Sequence, residues 1–443
     1  MKAQRLTAVL FAVLFLHSAS ADDAIAELQT IVAGTDVSSS LSGLQISLLK
    51  SGEATEGYAL GFAQIESGVK DPLRRDHKIR IASISKLVVA IGVLQLLDAG
   101  KLDLDRDLSD YLGWELRNPN FPDEAITARQ LLSHTSSIRD GSAYFIAAGT
   151  GELRDFFTPG TDYWENGDHF ASGTAQAPGE FFYYSNLNFG LLGTVIELLS
   201  GQRFDQYMAN SVLIPMGISA RFDPCEIPPY QRAAAFRKGI DPGGWDDQSD
   251  WLSQVDGAQP SCFYGMRDTA FAQKFLSSYV LGSNATIYSP QGGLRASADD
   301  LVVVLKMLIN RGTANGKQIL TAAAVDAMLA PDWDLNADRS NGLSAGEAEP
   351  GGPTDGLMTS YGLSVHRINT REWGFTQGPE LLVGHLGEAY GVLSHALIDP
   401  ETGDGIATIV TGTAKNPAHA PPGSSPLYRV EEEILRWWLE RND

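Results

Sequence analysis

Apolar residues recur along this chain at two periods, strand-like near both ends and helix-like between them. Residues 22–33 place Ile25, Leu28, Ile31 and Val32 at helical spacing, which predicts an amphipathic helix. Residues 44–49 and 58–65 follow as a strand pair across the polar turn Lys50-Ser51-Gly52-Glu53. A short extended piece over 78–82 then runs into Ile84, Leu87, Val88, Ile91, Leu94 and Leu97, a buried helix ending near Gly100. Short helical pieces are expected over 102–112 and 127–134, the second with Thr127 as N-cap. An apolar helix over 186–199 meets Gly201 at its C-terminal end, and 204–213 continues as helix. Residues 141–180 and 222–263 show no period. The second is long enough to imply a functional or cross-linked segment. Helices over 298–309 and 321–329 precede a polar stretch, 331–353, that reads as mobile. Strands over 362–368, 381–385, 392–398 and 406–411 follow, the last two joined by a hairpin turn at 399–404, and a helix over 426–441 closes the chain. One sheet assembled from both ends of the chain, with an all-helical insertion, is the simplest architecture for this order.

Composition narrows the partners. At 443 residues the chain is longer than one ordinary domain, which predicts two lobes or one large core with insertions. The 33 basic and 54 acidic residues give a formal charge of −21. Nucleic acid and anionic membrane are therefore poor partner candidates. Residues 1–21 carry Lys2 and Arg5, an apolar core over 8–16 and the small-residue site Ala19-Ser20-Ala21. This pattern predicts a secretory signal cut after Ala21, a mature chain over 22–443 and a periplasmic or secreted location. The apolar core is too short for a stable membrane anchor. Two cysteines, Cys225 and Cys262, fit an oxidising compartment, where one bridge between them contributes about 3–4 kcal/mol. Two buried thiols are the alternative.

Candidate chemistry starts from Ser83 and Lys86, one helical turn apart on one face. A serine hydroxyl needs a base within reach, a desolvated lysine can serve, and a helix start offers free N–H groups to an oxyanion. Alone, S-x-x-K is common and is usually a surface turn. Metal-ligand and phosphate-loop patterns are missing from the sequence, so no metal or other cofactor is expected. Gly342-Leu343-Ser344-Ala345-Gly346 matches a nucleophile elbow, yet it lies in the polar stretch without the flanking strand and helix that motif needs. Tyr184 and Asn186 end an aromatic turn over 178–186, a kind of loop that is usually packing. His385 and Gly387 stand at a strand end where glycines permit close backbone approach.

Taken together, Ser83-x-x-Lys86, Tyr184-x-Asn186 and His385-x-Gly387 resemble, in that order, the motifs of the serine β-lactamase and penicillin-binding-protein superfamily. The likeness is greatest to its class C β-lactamase-like and esterase branch. Leu131 to Ser137, Gly190-Leu191-Leu192-Gly193 and Gly292 to Ser297 followed by Asp299-Asp300-Leu301 support it, and it spans roughly 44–411. The resemblance implies an α+β fold, an antiparallel sheet flanked by helices with an inserted helical lobe and a cleft between. The sheet lobe would take 22–82 and 291–443, and the helical lobe 83–290. Ser83 would be the acylated nucleophile. Lys86 would be its base or the group lowering the phenol's pKa, and Tyr184 would relay the proton to the leaving group and help activate water. Asn186 would position Lys86 or the substrate amide, and His134 would be structural. The oxyanion hole would be the N–H groups of Ser83 and Glu388, with His385, Gly387 and Glu388 on the substrate side.

Two positions depart from the superfamily's pattern. Where β-lactamases and DD-peptidases usually carry Lys and a small hydroxyl residue, this chain has His385 and Glu388. A neutral histidine supplies no fixed charge for a substrate carboxylate. A carboxylate at Glu388 would repel one by about 1–4 kcal/mol at 4 Å, depending on solvation; otherwise its side chain turns to solvent and only its N–H matters. The expected substrate is therefore a small-molecule or peptide-like ester or amide, without that carboxylate or with a cationic group. A D-alanyl-D-alanine carboxypeptidase or class C-like β-lactamase is the alternative, and a non-catalytic binder of cell-wall fragments the lesser one. Trp245, Trp251 and Phe263 could shape an apolar acyl pocket or a packed lid.

Overall fold

The structure, a computed structural model, describes residues 22–441 apart from 67, 242, 263–265, 267–268 and 349. Residues 1–21, where a secretory signal is expected, and Phe263 lie outside the described residues. Nine strands form one sheet: β1 Gly43–Lys50, β2 Glu53–Glu66, β3 Val69–Pro72, β4 Trp333–Asp334, β5 Ser360–Tyr361, β6 His366–Asn369, β7 Leu381–Ala389, β8 Val392–Ile398 and β9 Gly405–Val410. Their order across the sheet is β4-β5-β6-β7-β8-β9-β1-β2-β3. All pairings are antiparallel, and β1 meets β9 with Leu44 opposite Val410. The two chain ends therefore meet in the middle of the sheet.

Helices cover both faces, so the central strands β8 and β9 are buried at every position. Period-two alternation sorts their side chains. Leu393, Leu397, Ile406 and Val410 join a cluster with α1 (22–33) and α5 (Arg429–Arg441). Val392, Ala396, Ile398, Ala407 and Ile409 join the larger cluster on the opposite face. That cluster holds α2 (Ile84–Asp98), α3 (Leu187–Ser200) and α4 (Ala298–Ile309). Helix α2 is buried on nearly all sides, and its apolar sequence suits such a core helix. The fold is α+β, with one antiparallel sheet flanked by helices.

The segment between β3 and β4 is not all-helical. Ala235–Lys238 and Trp251–Val255 pair with each other, and the first also pairs in parallel with Gly412–Thr413. In the same irregular stretch Cys225 and Cys262 form a disulfide, with 5.2 Å between their Cα atoms. Helix in 102–112 shrinks to Ser109–Leu112, and 204–213 divides into Phe204–Tyr207 and a π-helical turn Met208–Leu213. The 362–368 strand gives way to β5 and β6, because Ser364 turns the chain with φ 61° and donates its N–H to Leu132 O at 2.9 Å. The polar stretch 331–353 is tied down rather than loose: Phe182 N–H bonds Asn341 O at 2.9 Å, and Leu343 N–H bonds Phe182 O at 3.0 Å.

Candidate active site

Helix α2 starts from a bend. Ala82 has φ 49°, a left-handed backbone that costs a non-glycine residue about 1–3 kcal/mol and must be held by its surroundings. Ser85 Oγ donates to Ala82 O at 2.7 Å, Leu294 N–H to Ser85 Oγ at 3.1 Å, and Ser394 Oγ of β8 to Ile81 O at 2.9 Å. Ser83 is the N-cap residue of α2, but its side chain caps nothing. Its hydroxyl lies 2.9 Å from Lys86 Nζ.

The surroundings of Lys86 determine which way a proton can move. Its buried amine also reaches Asn186 Oδ1 at 2.8 Å and Gln291 O at 2.9 Å. Asn186 must present its oxygen there, because its Nδ2 donates to Asp140 Oδ2 at 2.9 Å and to Glu347 Oε1 at 3.1 Å. Asn186 Oδ1 and the Gln291 carbonyl accept only. Once Lys86 is neutral, its lone pair can therefore serve only the Ser83 hydroxyl. Burial lowers the Lys86 pKa to about 8, against the opposing pull of Glu347 and Asp140.

Tyr184 is buried beside this pair, its ring 4.7 Å from Lys86 Nζ and stacked on His134 at 4.3 Å between centroids. Burial raises the phenol pKa well above its usual value, while a hydrogen bond with Ser83 lowers it. The group is a neutral phenol near pH 7 and can donate its proton. His134 takes a supporting place, its Nδ1 accepting the Ser185 N–H at 3.1 Å.

Strand β7 forms the opposite wall. A Cβ at Gly387 would stand 2.6 Å from Ile81 O and 3.1 Å from Ser83 N. Only glycine lets β7 approach the nucleophile's backbone this closely. Ser83 N–H has no acceptor among the described residues, and pairing of β7 with β6 stops at Gly384, so this edge is open beside Ser83. Glu388 is exposed in the cavity. Cavity walls still desolvate its carboxyl, which with Glu431 pushes the pKa up to about 7 despite a hydrogen bond with Tyr428.

His385 differs from the role given to it above. It is fully buried, and both ring nitrogens are occupied. Nδ1 meets the Leu386 carbonyl at 2.5 Å and so carries the proton, leaving Nε2 to accept from Tyr361 Oη at 2.9 Å. Burial, then His366 and Lys86, hold its pKa well below the usual value. His385 is a neutral packing group with no donor left for substrate. Ser344 of the elbow-like motif is also buried, bonded to Asp355 and Arg339 and away from this site.

A cavity of about 920 Å³ opens from Ser83 past Asn186, Glu347, Arg80 and Tyr390. Trp245 and Trp251 do not line it. Trp245 covers Arg237 and Trp251 packs on Phe62. Sequence reasoning missed Asp140, Gln291 and Glu347. Only Gln291 had a signal nearby, the Gly292-Gly293 pair after it.

Protein flp of Staphylococcus aureus (strain MRSA252) is 28% identical over 197 residues, 44% of this chain and 37% of that protein. Penicillin-binding protein 4* of Bacillus subtilis (strain 168) is 28% identical over 168 residues, 38% of this chain and 35% of its own. The matched stretch thus spans little more than a third of these relatives' length. The D-amino acid amidase of Ochrobactrum anthropi SV3, solved with D-phenylalanine, shares the fold at TM-score 0.60 and 20% identity, over 91% of this chain and 95% of its own. The family model described as Beta-lactamase matches residues 21–423, nearly the whole chain and all three motifs, and the chain belongs to that family.

Proposed function

We propose that this chain is a serine hydrolase that forms an acyl-Ser83 intermediate from an ester or amide, in the manner of a carboxylesterase or an aminopeptidase or amidase. The observation that carries the reading is Lys86: a desolvated amine, 2.9 Å from Ser83 Oγ, whose other two partners only accept hydrogen bonds. In this reading Lys86 takes the Ser83 proton as Oγ attacks the substrate carbonyl. The N–H groups of Ser83 and Glu388 receive the oxyanion, each worth about 3–4 kcal/mol in such sites. Tyr184 passes a proton to the departing alcohol or amine, and water, activated by the same groups, then releases the acid. No step needs a metal or other cofactor.

Esters and amides are favoured over penicillins because position 385 supplies no fixed cation. His385 is neutral and fully engaged, and Glu388 adds a partly ionised carboxyl to the rim. The D-amino acid amidase shares the fold, and amide cleavage is within reach of the same groups. The Cys225–Cys262 bridge supports a secreted or periplasmic location.

A fluorophosphonate probe is expected to label the purified chain and to leave Ser83→Ala unlabelled. A short-chain aryl ester is expected to show a higher kcat/KM than a chromogenic cephalosporin, with the gap narrowing in Glu388→Ser. Preference for the cephalosporin would return the chain to the β-lactamase or DD-carboxypeptidase class. No labelling would leave a binder of cell-wall fragments.

A further inference from the structure

The cavity wall carries a cation that the reaction above does not use. Arg80 stands on the short strand Ile79–Arg80, three residues before the nucleophile, and lines the same cavity as Ser83. Its Nε donates to Gly292 O at 2.9 Å and its Nη2 to Ser289 Oγ at 3.0 Å, and its Cζ lies 4.9 Å from the centre of the Tyr390 ring. All three partners are neutral. Nη1 has no acceptor among the described residues, and no carboxylate there makes an ion pair with this guanidinium.

Arg295 and Arg237 on this wall each face a carboxylate. Arg295 makes two hydrogen bonds with Asp256, at 2.8 and 3.0 Å. Arg237 has Glu388 as its main favourable charge. Glu347 receives Asn186 Nδ2 and stands by Lys86. Burial and the repulsion of Arg295 lower the Arg80 pKa, against the opposing pull of Tyr390, Asp256 and Tyr144. Guanidinium remains protonated under such pressure, so a half-buried charge without an ion pair of its own lines the cavity. A carboxylate brought to such a fork gains a charge-assisted hydrogen bond.

The position of the cavity identifies which part of a substrate would meet this charge. Ser83, Asn186 and Glu347 line it, with Glu388 and Tyr390 from the end of β7, whereas Tyr184, which serves the leaving group, does not. The cavity therefore takes the acyl part. Resting on the acyl-Ser83 reading, we infer that Arg80 is a specificity residue of the acyl pocket, binding a carboxylate carried at the far end of the acyl group. Dicarboxylic half-esters and half-amides are then the preferred acyl donors.

The 4-nitrophenyl monoester of adipic acid and 4-nitrophenyl hexanoate have equal acyl chain length and differ in the terminal carboxylate. The native chain is expected to favour the adipate. In Arg80→Gln the adipate-to-hexanoate ratio of kcat/KM should fall at least about tenfold, the usual scale for one charge-assisted contact. Arg80→Lys keeps the charge without the fork and should give an intermediate ratio; it replaces Arg80→Gln as the readout if that variant does not fold. Equal losses on both esters, or a native preference for hexanoate, would overturn the assignment. Failure of the hydrolase reading would show separately, as no fluorophosphonate label at Ser83 and no turnover of either ester. Free adipate then remains the probe: calorimetric binding weakened at least tenfold in Arg80→Gln sustains the anion site, and no binding or equal binding overturns it.

Discussion

At Lys86, three hydrogen bonds surround one amine, and only one of the three partners can give a proton in return. That asymmetry ties activity to the charge on Lys86. With a pKa of about 8, roughly a tenth of the amine is neutral at pH 7, against a few ten-thousandths for an unperturbed lysine. The rate constant kcat/KM for an aryl ester is therefore expected to rise with pH through about 8 and level off above it. Glu347 is the largest charge opposing the depression, so Glu347→Gln should move the rising limb to lower pH; a pH–rate profile checks both. A limb that stays in place would assign the titration to another group. The Ser83–Lys86 pair was legible in the sequence because both residues ride on one helical turn. Asp140, Gln291 and Glu347 were not, since they reach the site from loops whose sequence has no period. His385 was legible as a position but not as a role: its strand says nothing of Tyr361, 24 residues away, which takes its Nε2.

Helix α3 brings Asn186 to the site, and its first turn is held from outside. Asn186 is its N-cap residue but makes no side-chain cap. Asp140 does so from the preceding loop, accepting Leu187 N–H at 2.9 Å, Ser185 Oγ at 2.8 Å and Asn186 Nδ2 at 2.9 Å. A carboxylate at a helix N-terminus satisfies free N–H groups and the helix dipole together. Asp140→Ala is expected to cost about 1–2 kcal/mol in urea unfolding and, by freeing the Asn186 amide, to lower kcat on an aryl ester. Loss of stability with kcat intact would show Asp140 to be a cap alone. Elements with a full apolar stripe or a strict alternation, such as α2, α3, α4 and β8, could be read from the sequence almost to the residue. Ala235–Lys238 and Trp251–Val255 could not, because they are short, partly exposed and completed by Gly412–Thr413 from the far end of the chain. The π-helical turn at Met208–Leu213 keeps an apolar pattern that a regular helix would also show.

Across the whole molecule, the proposed catalytic groups gather on one face of the sheet while α1 and α5 cover the other. Ser83 and Lys86 come from α2, and Gly387 from a strand that reaches Ser83 without a side chain between. On the opposite face α1 packs against α5. Glu27 accepts from Trp437 Nε1 and from Arg441 Nη1, both at 2.9 Å, and Leu28 is fully buried in the cluster with Trp438 and Leu397. Residues 22–33 are thus part of the core although they precede the first strand, and β1 could not sit beside β9 with the far face open to water. Leu28→Ala removes a side chain from that cluster and is expected to cost about 2–5 kcal/mol, from lost burial and the cavity left behind. The sheet lies between this cluster and Ser83, so kcat at low temperature should stay near the native value while the urea midpoint and Tm fall. A matching loss of kcat would mean that the far face sets the spacing of β7 against α2, and that the close approach of Gly387 to Ser83 depends on packing from both sides of the sheet.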